Sequence, residues 1–242
     1  MLRKLLIINP NGSSAITQLI KSGIDRHLGP ILSTYWTCPG GPPVLQSHDI
    51  DQNADTCFQL LLDITEDYDG FLLACYADHP LVTLLQARVD PKPVVGIFEA
   101  SIYAALSGLQ PAKRFAILTT GEAYEKQLEE GVVRLVGKSR ADSCFAGVVS
   151  TGVGILDLAK NSQGLVKTKI KAGVKKLLGK SEIAAICIGG VILFGMEPLV
   201  REACQEELGS EAGREITVID QLEAGAVMVR YAIHKKGLDM FG

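Results

Sequence analysis

A cysteine lies where the sequence predicts that a buried strand ends and a helix begins. The apolar run at 71–74 leads to Cys75, a turn containing Asp78 follows, and Pro80 suits the first turn of a helix. Backbone N–H groups at a helix N-terminus favour a thiolate and can also hold an anionic substrate. We therefore predict a catalytic thiol at Cys75. The alternative is a small buried side chain, which is what most free cysteines are.

Polar residues follow two other predicted strands. Asn11 and Ser13 lie in the loop after the first apolar run of the chain, and Thr119 and Thr120 end a later run. Asn11 and Ser13 can cap the helix that follows them, and capping is compatible with ligand contact because the loop precedes a helix N-terminus. These loops are therefore candidate parts of the same site as Cys75.

The second half of the chain repeats the order of the first. The interval from Asn9 to Cys75 is 66 positions, and that from Thr119 to Gly190 is 71 positions. In both halves buried strands alternate with amphipathic helices, which is typical of parallel sheets with helices on both faces. We predict an α/β fold of two pseudo-symmetric lobes, each a mostly parallel sheet flanked by helices, with the active site in the cleft between the lobes. The expected first lobe comprises residues 1–98 and 211–242, and the second comprises residues 99–210.

Composition and charge exclude several classes of partner and cofactor. The 242 residues carry a formal net charge of −3 without a basic block, which argues against nucleic acid. No apolar run approaches the roughly eighteen residues that cross a bilayer, so we expect a cytoplasmic protein that does not bind membranes. The six scattered cysteines form no CxxC pair, which predicts free thiols and no metal site. No GxGxxG motif follows the first strand and no GxxxxGK(S/T) motif occurs, so no nucleotide cofactor is expected.

Four short motifs arrive in the order and spacing of one known family. They are Asn9-Pro10-Asn11-Gly12-Ser13, Ala74 to Pro80, Val95 to Ala100, and Leu118-Thr119-Thr120. On these motifs the chain resembles the Asp/Glu/hydantoin racemase superfamily, especially its hydantoin racemase branch and the fungal allantoin-pathway racemase-like proteins. The resemblance implies a cofactor-free enzyme in which one cysteine removes a proton α to a carbonyl of a small molecule. A second cysteine would deliver a proton to the opposite face.

The resemblance also implies roles for individual positions. Cys75 matches the first catalytic cysteine. The positions matched to the substrate pocket are Asn11, Ser13, Tyr76, Ala77, Thr119, Thr120, Gly190 and Val191. The backbone N–H groups of Tyr76 and Ala77 would form part of an oxyanion cradle. Gly190 stands where the family has its second cysteine, and Cys187 cannot replace it, because residues three apart in a strand point to opposite faces and lie about 10 Å apart.

Three ionisable residues near Cys75 have two interpretations each. Asp78 is expected to cap the helix after Cys75 in preference to acid–base work. His79 either contacts the substrate and tunes Cys75 or is structural. Glu99 lies in the first turn of a helix, where the helix dipole favours a carboxylate, and a supporting role behind the site is the less favoured reading.

The expected activity is that of a cofactor-independent racemase or isomerase. Cys75 would transfer a proton α to a carbonyl of a small hydantoin-like or carboxylic substrate. Two alternatives stay open, a one-thiol lyase such as a decarboxylase and a non-catalytic relative that only binds a small molecule. A homo-oligomer is compatible with the resemblance, because homo-oligomers are common in this family.

Overall fold

A computed structural model of the protein describes residues 2–159 and 163–238. Its strands are β1 (Lys4–Asn9), β2 (Leu32–Thr37), β3 (Gly70–Leu73), β4 (Val94–Gly96), β5 (Arg114–Thr119), β6 (Phe145–Ser150), β7 (Ile183–Ile188) and β8 (Thr217–Asp220). Its α-helices are α1 (Ser14–Leu28), α2 (Ile50–Leu61), α3 (Leu81–Val89), α4 (Ile97–Ser107), α5 (Glu125–Val136), α6 (Lys138–Cys144), α7 (Ile155–Ala159), α8 (Gln163–Leu178), α9 (Glu197–Leu208), α10 (Ser210–Glu215) and α11 (Gln221–Leu238). Short 3-10 helices cover Ser47–Asp49, Leu62–Asp67, Glu122–Tyr124 and Val191–Leu193.

The first of two compact units contains the residues up to Ala100 and those from Leu222 onward. Its strands are parallel and lie in the order β2-β1-β3-β4. Leu73, the last residue of β3, pairs with Ile8 of β1 and with Gly96 of β4. The side chains of β1 after its first residue, and all those of β3, are buried, as expected for strands covered on both faces.

The second unit spans Ser101–Gln221 and repeats this topology. Its parallel strands lie in the order β6-β5-β7-β8, so each strand of the first sheet has a counterpart in the same place. The sequence pattern assigned residues 211–242 to the first lobe, but β8 pairs with β7 and therefore belongs to the second sheet. An apolar pattern predicts a strand but not the strand with which it pairs. For this reason the predicted boundary between the lobes differs from the boundary in the structure. Residues 239–242 of that segment lie outside the described residues.

Helix α1 shows how the sequence sets one boundary of the site. Ser13 has extended backbone angles, and its hydroxyl accepts a hydrogen bond from the N–H of Ile16 at 3.3 Å, so it is the N-cap. Buried residues then recur at helical spacing through Ile20 and Ile24. The helix ends at Gly29, whose φ of +61° suits glycine. Within the ranges that the structure describes, no helix combines the length and apolar character that a membrane crossing requires.

Candidate active site

Cys75 lies two residues beyond the end of β3 and six residues before α3. The preceding residue extends the sheet, because the N–H of Ala74 donates to the carbonyl of Ile8 at 2.8 Å. Beside Cys75, the ring of Tyr76 packs edge-to-face on Phe98, with ring centroids 5.5 Å apart. The thiol is therefore placed at the carboxyl end of a central strand, as predicted.

The surroundings of the Cys75 thiol favour its protonated form. Burial, with a smaller contribution in the same direction from the negative charge of Glu99, raises its pKa to about 12. The residue is nevertheless partly exposed. The sequence predicted that the helix N-terminus would favour a thiolate, whereas the raised pKa favours the thiol.

The Glu99 carboxyl group lies at the end of the neighbouring strand. Glu99 is in the first turn of α4, three residues after Gly96. No donor among the described residues reaches its buried Oε2 atom. Burial raises the pKa of Glu99 to about 7, its own backbone N–H lowers it, and the charge of Asp78 raises it. This carboxyl group therefore exchanges its proton near neutral pH.

A hydrogen-bond network fixes the loop after β1. The side-chain NH2 of the buried Asn9 donates to Asn11 Oδ1 at 3.0 Å, to the Ser13 carbonyl at 3.1 Å and to Thr17 Oγ1 at 2.9 Å. Asn11 Oδ1 also accepts the Ser13 N–H at 2.9 Å. Asn11 and Ser13 thus shape this loop, and Ser13 caps α1 as predicted. Asn9 organises both of them.

His79 is buried and holds two segments together. Its Nδ1 accepts the N–H of Leu81 at 3.3 Å, so Nε2 carries the proton and donates to Asn53 Oδ1 at 3.2 Å. The amide of Asn53 in turn donates to the Pro10 carbonyl at 2.9 Å. Burial lowers the pKa of His79 to about 4. His79 is therefore neutral and connects the start of α3 to α2 and to the loop after β1.

The second unit holds the counterpart of the Cys75 turn. The N–H of Gly189 donates to the carbonyl of Leu118 at 2.8 Å, which is the bond that Ala74 makes in the first unit. The next residue, Gly190, therefore occupies the position equivalent to Cys75. Its φ of +114° is a backbone conformation that residues with side chains rarely adopt.

The remaining predicted residues of the second unit surround Gly190. Thr119 is buried at the end of β5, and Thr120 follows it. A Cβ atom added at Gly190 would lie 3.0 Å from Thr120 Cγ2, so these two loops are in contact. Val191 is half-buried and begins the short 3-10 helix after Gly190. Thr119, Thr120, Gly190 and Val191 therefore gather at the carboxyl ends of β5 and β7.

Of the other five cysteines, Cys57 lies close enough to Cys75 for the two thiols to interact electrostatically. Cys187 is a core residue, buried in β7, and its thiol donates to the Ser101 carbonyl at 3.4 Å. All six thiols are free. The buried members besides Cys187 are Cys38, Cys57 and Cys204, and Cys144 is half-buried. Across residues 2–159 and 163–238, no group of three His, Cys, Asp or Glu side chains is arranged to hold a metal ion.

Each unit thus collects its own part of the predicted site at the carboxyl ends of its strands. The first unit contains Cys75, Tyr76, Ala77, Asn11 and Ser13, and the second contains the four residues around Gly190. The family model described as Asp/Glu/Hydantoin racemase matches residues 5–229.

The chain belongs to the Asp/Glu/hydantoin racemase family.

Three relatives illustrate the breadth of this match. The chain is 31% identical over 229 residues to uncharacterized protein C1F7.10 of Schizosaccharomyces pombe, which covers 93% of this chain and 90% of the relative. It is 26% identical over 228 residues to a hydantoin racemase of Paenarthrobacter aurescens, which covers 91% of this chain and 87% of the relative. The crystal structure of allantoin racemase from Pseudomonas fluorescens has the same fold, with a TM-score of 0.78 at 19% identity. The match covers 97% of this chain and 92% of the allantoin racemase chain.

Two residues that the structure brings to this part of the racemase fold have only a weak signal in the sequence. Asn9 and Glu99 both lie in the motifs that resemble the family. Asn9 was not predicted to contribute to the site, and a supporting role was the less favoured interpretation of Glu99. For Glu99, the signal in the sequence is a glycine three positions earlier. Because Gly96 has no side chain, it leaves room for the Glu99 carboxyl group. A buried oxygen without a donor can be seen only in the structure.

Proposed function

We propose that this racemase-family protein is a cofactor-independent isomerase or racemase. Cys75 transfers a proton at the carbon α to a carbonyl of a small hydantoin-like or carboxylic substrate. One observation carries the proposal, the thiol of Cys75 at the carboxyl end of β3 in a chain that matches the racemase family over residues 5–229. Ligands of parallel α/β sheets bind at this end of the strands.

In the proposed reaction, the thiolate of Cys75 takes the α-proton and becomes a thiol. The electron pair of the C–H bond moves into the carbonyl group and forms an enolate. The backbone N–H groups of Tyr76 and Ala77 stabilise the enolate oxygen, and the loop of Asn11 and Ser13 binds the rest of the substrate. Return of a proton to the opposite face of the carbon completes racemisation.

The source of that second proton distinguishes this chain from a two-thiol racemase. Gly190 occupies the position equivalent to Cys75 and has no ionisable side chain. We therefore propose that water, the substrate or another side chain supplies the proton to the opposite face.

A second candidate is a one-thiol lyase. The protonated state of the Cys75 thiol favours it, since a thiol can donate its proton to an enolate formed by the loss of CO2. Such a reaction needs one thiol, as this arrangement provides.

Incubation of the purified protein in D2O with EDTA and single-enantiomer hydantoins tests the proposal. We expect deuterium at the α-carbon by NMR and a decline of optical rotation. Both should be lost in Cys75→Ser and kept in Cys144→Ser, a matched control at a half-buried free thiol. Release of CO2 from malonate-type acids that depends on Cys75 would favour the lyase. Unchanged rotation, no deuterium and no CO2 across both substrate classes would contradict catalysis and leave a binding protein.

A further inference from the structure

One carboxylate oxygen in the first unit is buried without a hydrogen-bond donor. Within the described part of the chain, no donor reaches Oε2 of Glu99. Buried carboxylates in folded proteins are normally paired or hydrogen-bonded, because an unpartnered one is costly. An oxygen left in this state is available to accept a proton.

The fold reserves space for this oxygen. A Cβ atom added at Gly96 would collide with Glu99 Oε2 and would lie 2.9 Å from its Cδ atom. The same added Cβ atom would also lie 3.2 Å from Val82 Cγ2. Gly96 does not have the positive φ that would require glycine for its backbone. Its lack of a side chain therefore serves the placement of the carboxyl group.

The carboxyl group and the Cys75 thiol lie on neighbouring strand ends. β3 and β4 are paired, with Leu73 opposite Gly96, and the chain reaches Cys75 and Glu99 within three residues of that pair. The edge-to-face contact of Tyr76 with Phe98 joins the two connecting segments. The charge of Glu99 acts directly on the thiol.

We propose that Glu99 is the proton partner of Cys75. This inference depends on the proposed role of Cys75 in catalysis. The Glu99 carboxylate takes the proton of the Cys75 thiol, which leaves a thiolate and a neutral carboxylic acid. The thiolate then removes the α-proton of the substrate, and the Glu99 proton is later released to solvent. Glu99 acts through Cys75, so it is a positioning residue and not a group that touches the substrate.

Charge conservation is the physical reason for the pairing. Each negative charge opposes the other, so the thiolate and the carboxylate are not favoured together in buried surroundings. Passing the proton from sulfur to oxygen moves the one negative charge and adds none. Glu99, with a pKa of about 7, can take up and release that proton at neutral pH. Asp78 adds a second negative charge from the segment before α3, and Val82 of α3 presents an apolar side chain.

Alkylation of Cys75 by iodoacetamide, followed by mass spectrometry from pH 5 to 10, tests the coupling without a substrate. Glu99→Gln should lower the apparent pKa of the thiol by about one unit or more, the order expected when a nearby like charge is removed. Alkylation at pH 8 should then accelerate about tenfold, since one pKa unit is a factor of ten. Glu66→Gln, at an exposed carboxylate of the same unit, should leave the curve unchanged.

Deuterium exchange at the α-carbon of a substrate should change in the opposite direction to the alkylation rate. Glu99→Gln should slow α-deuteration about a hundredfold, the lower range of general acid–base effects. Glu99→Asp keeps the charge and should retain more exchange than Glu99→Gln. Gly96→Ala, which displaces the carboxyl group, should also slow exchange. Faster alkylation together with slower exchange is not expected from a merely structural residue, which would change both in the same direction.

The outcomes separate the inference from the proposed function. If Glu99→Gln is alkylated at the wild-type rate at every pH, Glu99 does not share a proton with Cys75 and the inference is wrong, whatever the activity. If Cys75→Ser abolishes exchange but Glu99→Gln does not reduce it, the inference is wrong and the proposed function stands. Exchange that persists in Cys75→Ser would overturn the proposed function itself.

Discussion

Cys75 and Gly190 occupy equivalent positions in two sheets of the same strand order. The residue before each donates its N–H to the carbonyl of the adjacent central strand at 2.8 Å. The backbone at the two positions differs, because Gly190 has a φ of +114° and Cys75 does not have a positive φ. The turn at Gly190 therefore has a backbone conformation that favours glycine, and it differs from the turn at Cys75 in more than the missing thiol.

Replacing Gly190 should destabilise the protein. Gly190→Ala and Gly190→Cys both add a Cβ atom to a residue whose backbone conformation favours glycine. That Cβ atom would lie 3.0 Å from Thr120 Cγ2. We expect a loss of about 1–3 kcal/mol in the free energy of unfolding, measured by urea denaturation. Gly108→Ala is the control, because its φ is not positive and its added Cβ has no neighbour within 4 Å. Equal stability of the Gly190 variants and wild type would show that this turn tolerates a side chain.

The donor group of Asn9 should be essential to the loop that follows β1. Asn9→Asp replaces an NH2 that serves three acceptors by a carboxylate oxygen, so buried acceptors lose their donor. We expect a loss of about 2–3 kcal/mol in the free energy of unfolding. Asn11→Asp keeps the acceptor oxygen that binds the Ser13 N–H and should cost much less. Similar losses for the two variants in urea denaturation would contradict this assignment.

His79 should make stability depend on pH between about 4 and 6.5. Its folded-state pKa of about 4 lies below the ordinary value of 6.5, so the unfolded chain binds the additional proton in this interval. Stability is therefore complete above pH 6.5 and falls as the pH drops towards 4, by up to about 3 kcal/mol. His79→Gln should remove this part of the pH dependence while keeping a donor and an acceptor. An unchanged slope of unfolding free energy against pH would show that His79 is not the group responsible.

Much of the fold could be predicted from local patterns. The apolar run at 71–74 agrees with β3 (Gly70–Leu73) to within one residue at each end, since a continuous apolar run is a property of neighbouring residues. The pairing of β8 with β7 could not be predicted, because the choice of partner depends on contacts between distant parts of the chain.

The chemistry of the site was harder to predict than its position. Motifs placed Cys75 at a strand end, but the balance between burial and the helix N-terminus that fixes its protonation depends on the packed surroundings. His79 shows the same difficulty, since its partner Asn53 lies 26 positions earlier in the chain. Residue types and spacing located the groups, and only the packed structure gave their charge states.

The contact between Gly96 and Glu99 also orders the substitutions that this lineage can accumulate. While Glu99 is present, any side chain at position 96 has to displace the carboxyl group, so a change at Gly96 disturbs Glu99. Once Glu99 is replaced by a smaller residue, position 96 becomes free to vary. Among relatives, we expect other residues at the position of Gly96 to occur only where the glutamate is also absent, so this pair of positions records which descendants kept the carboxylate.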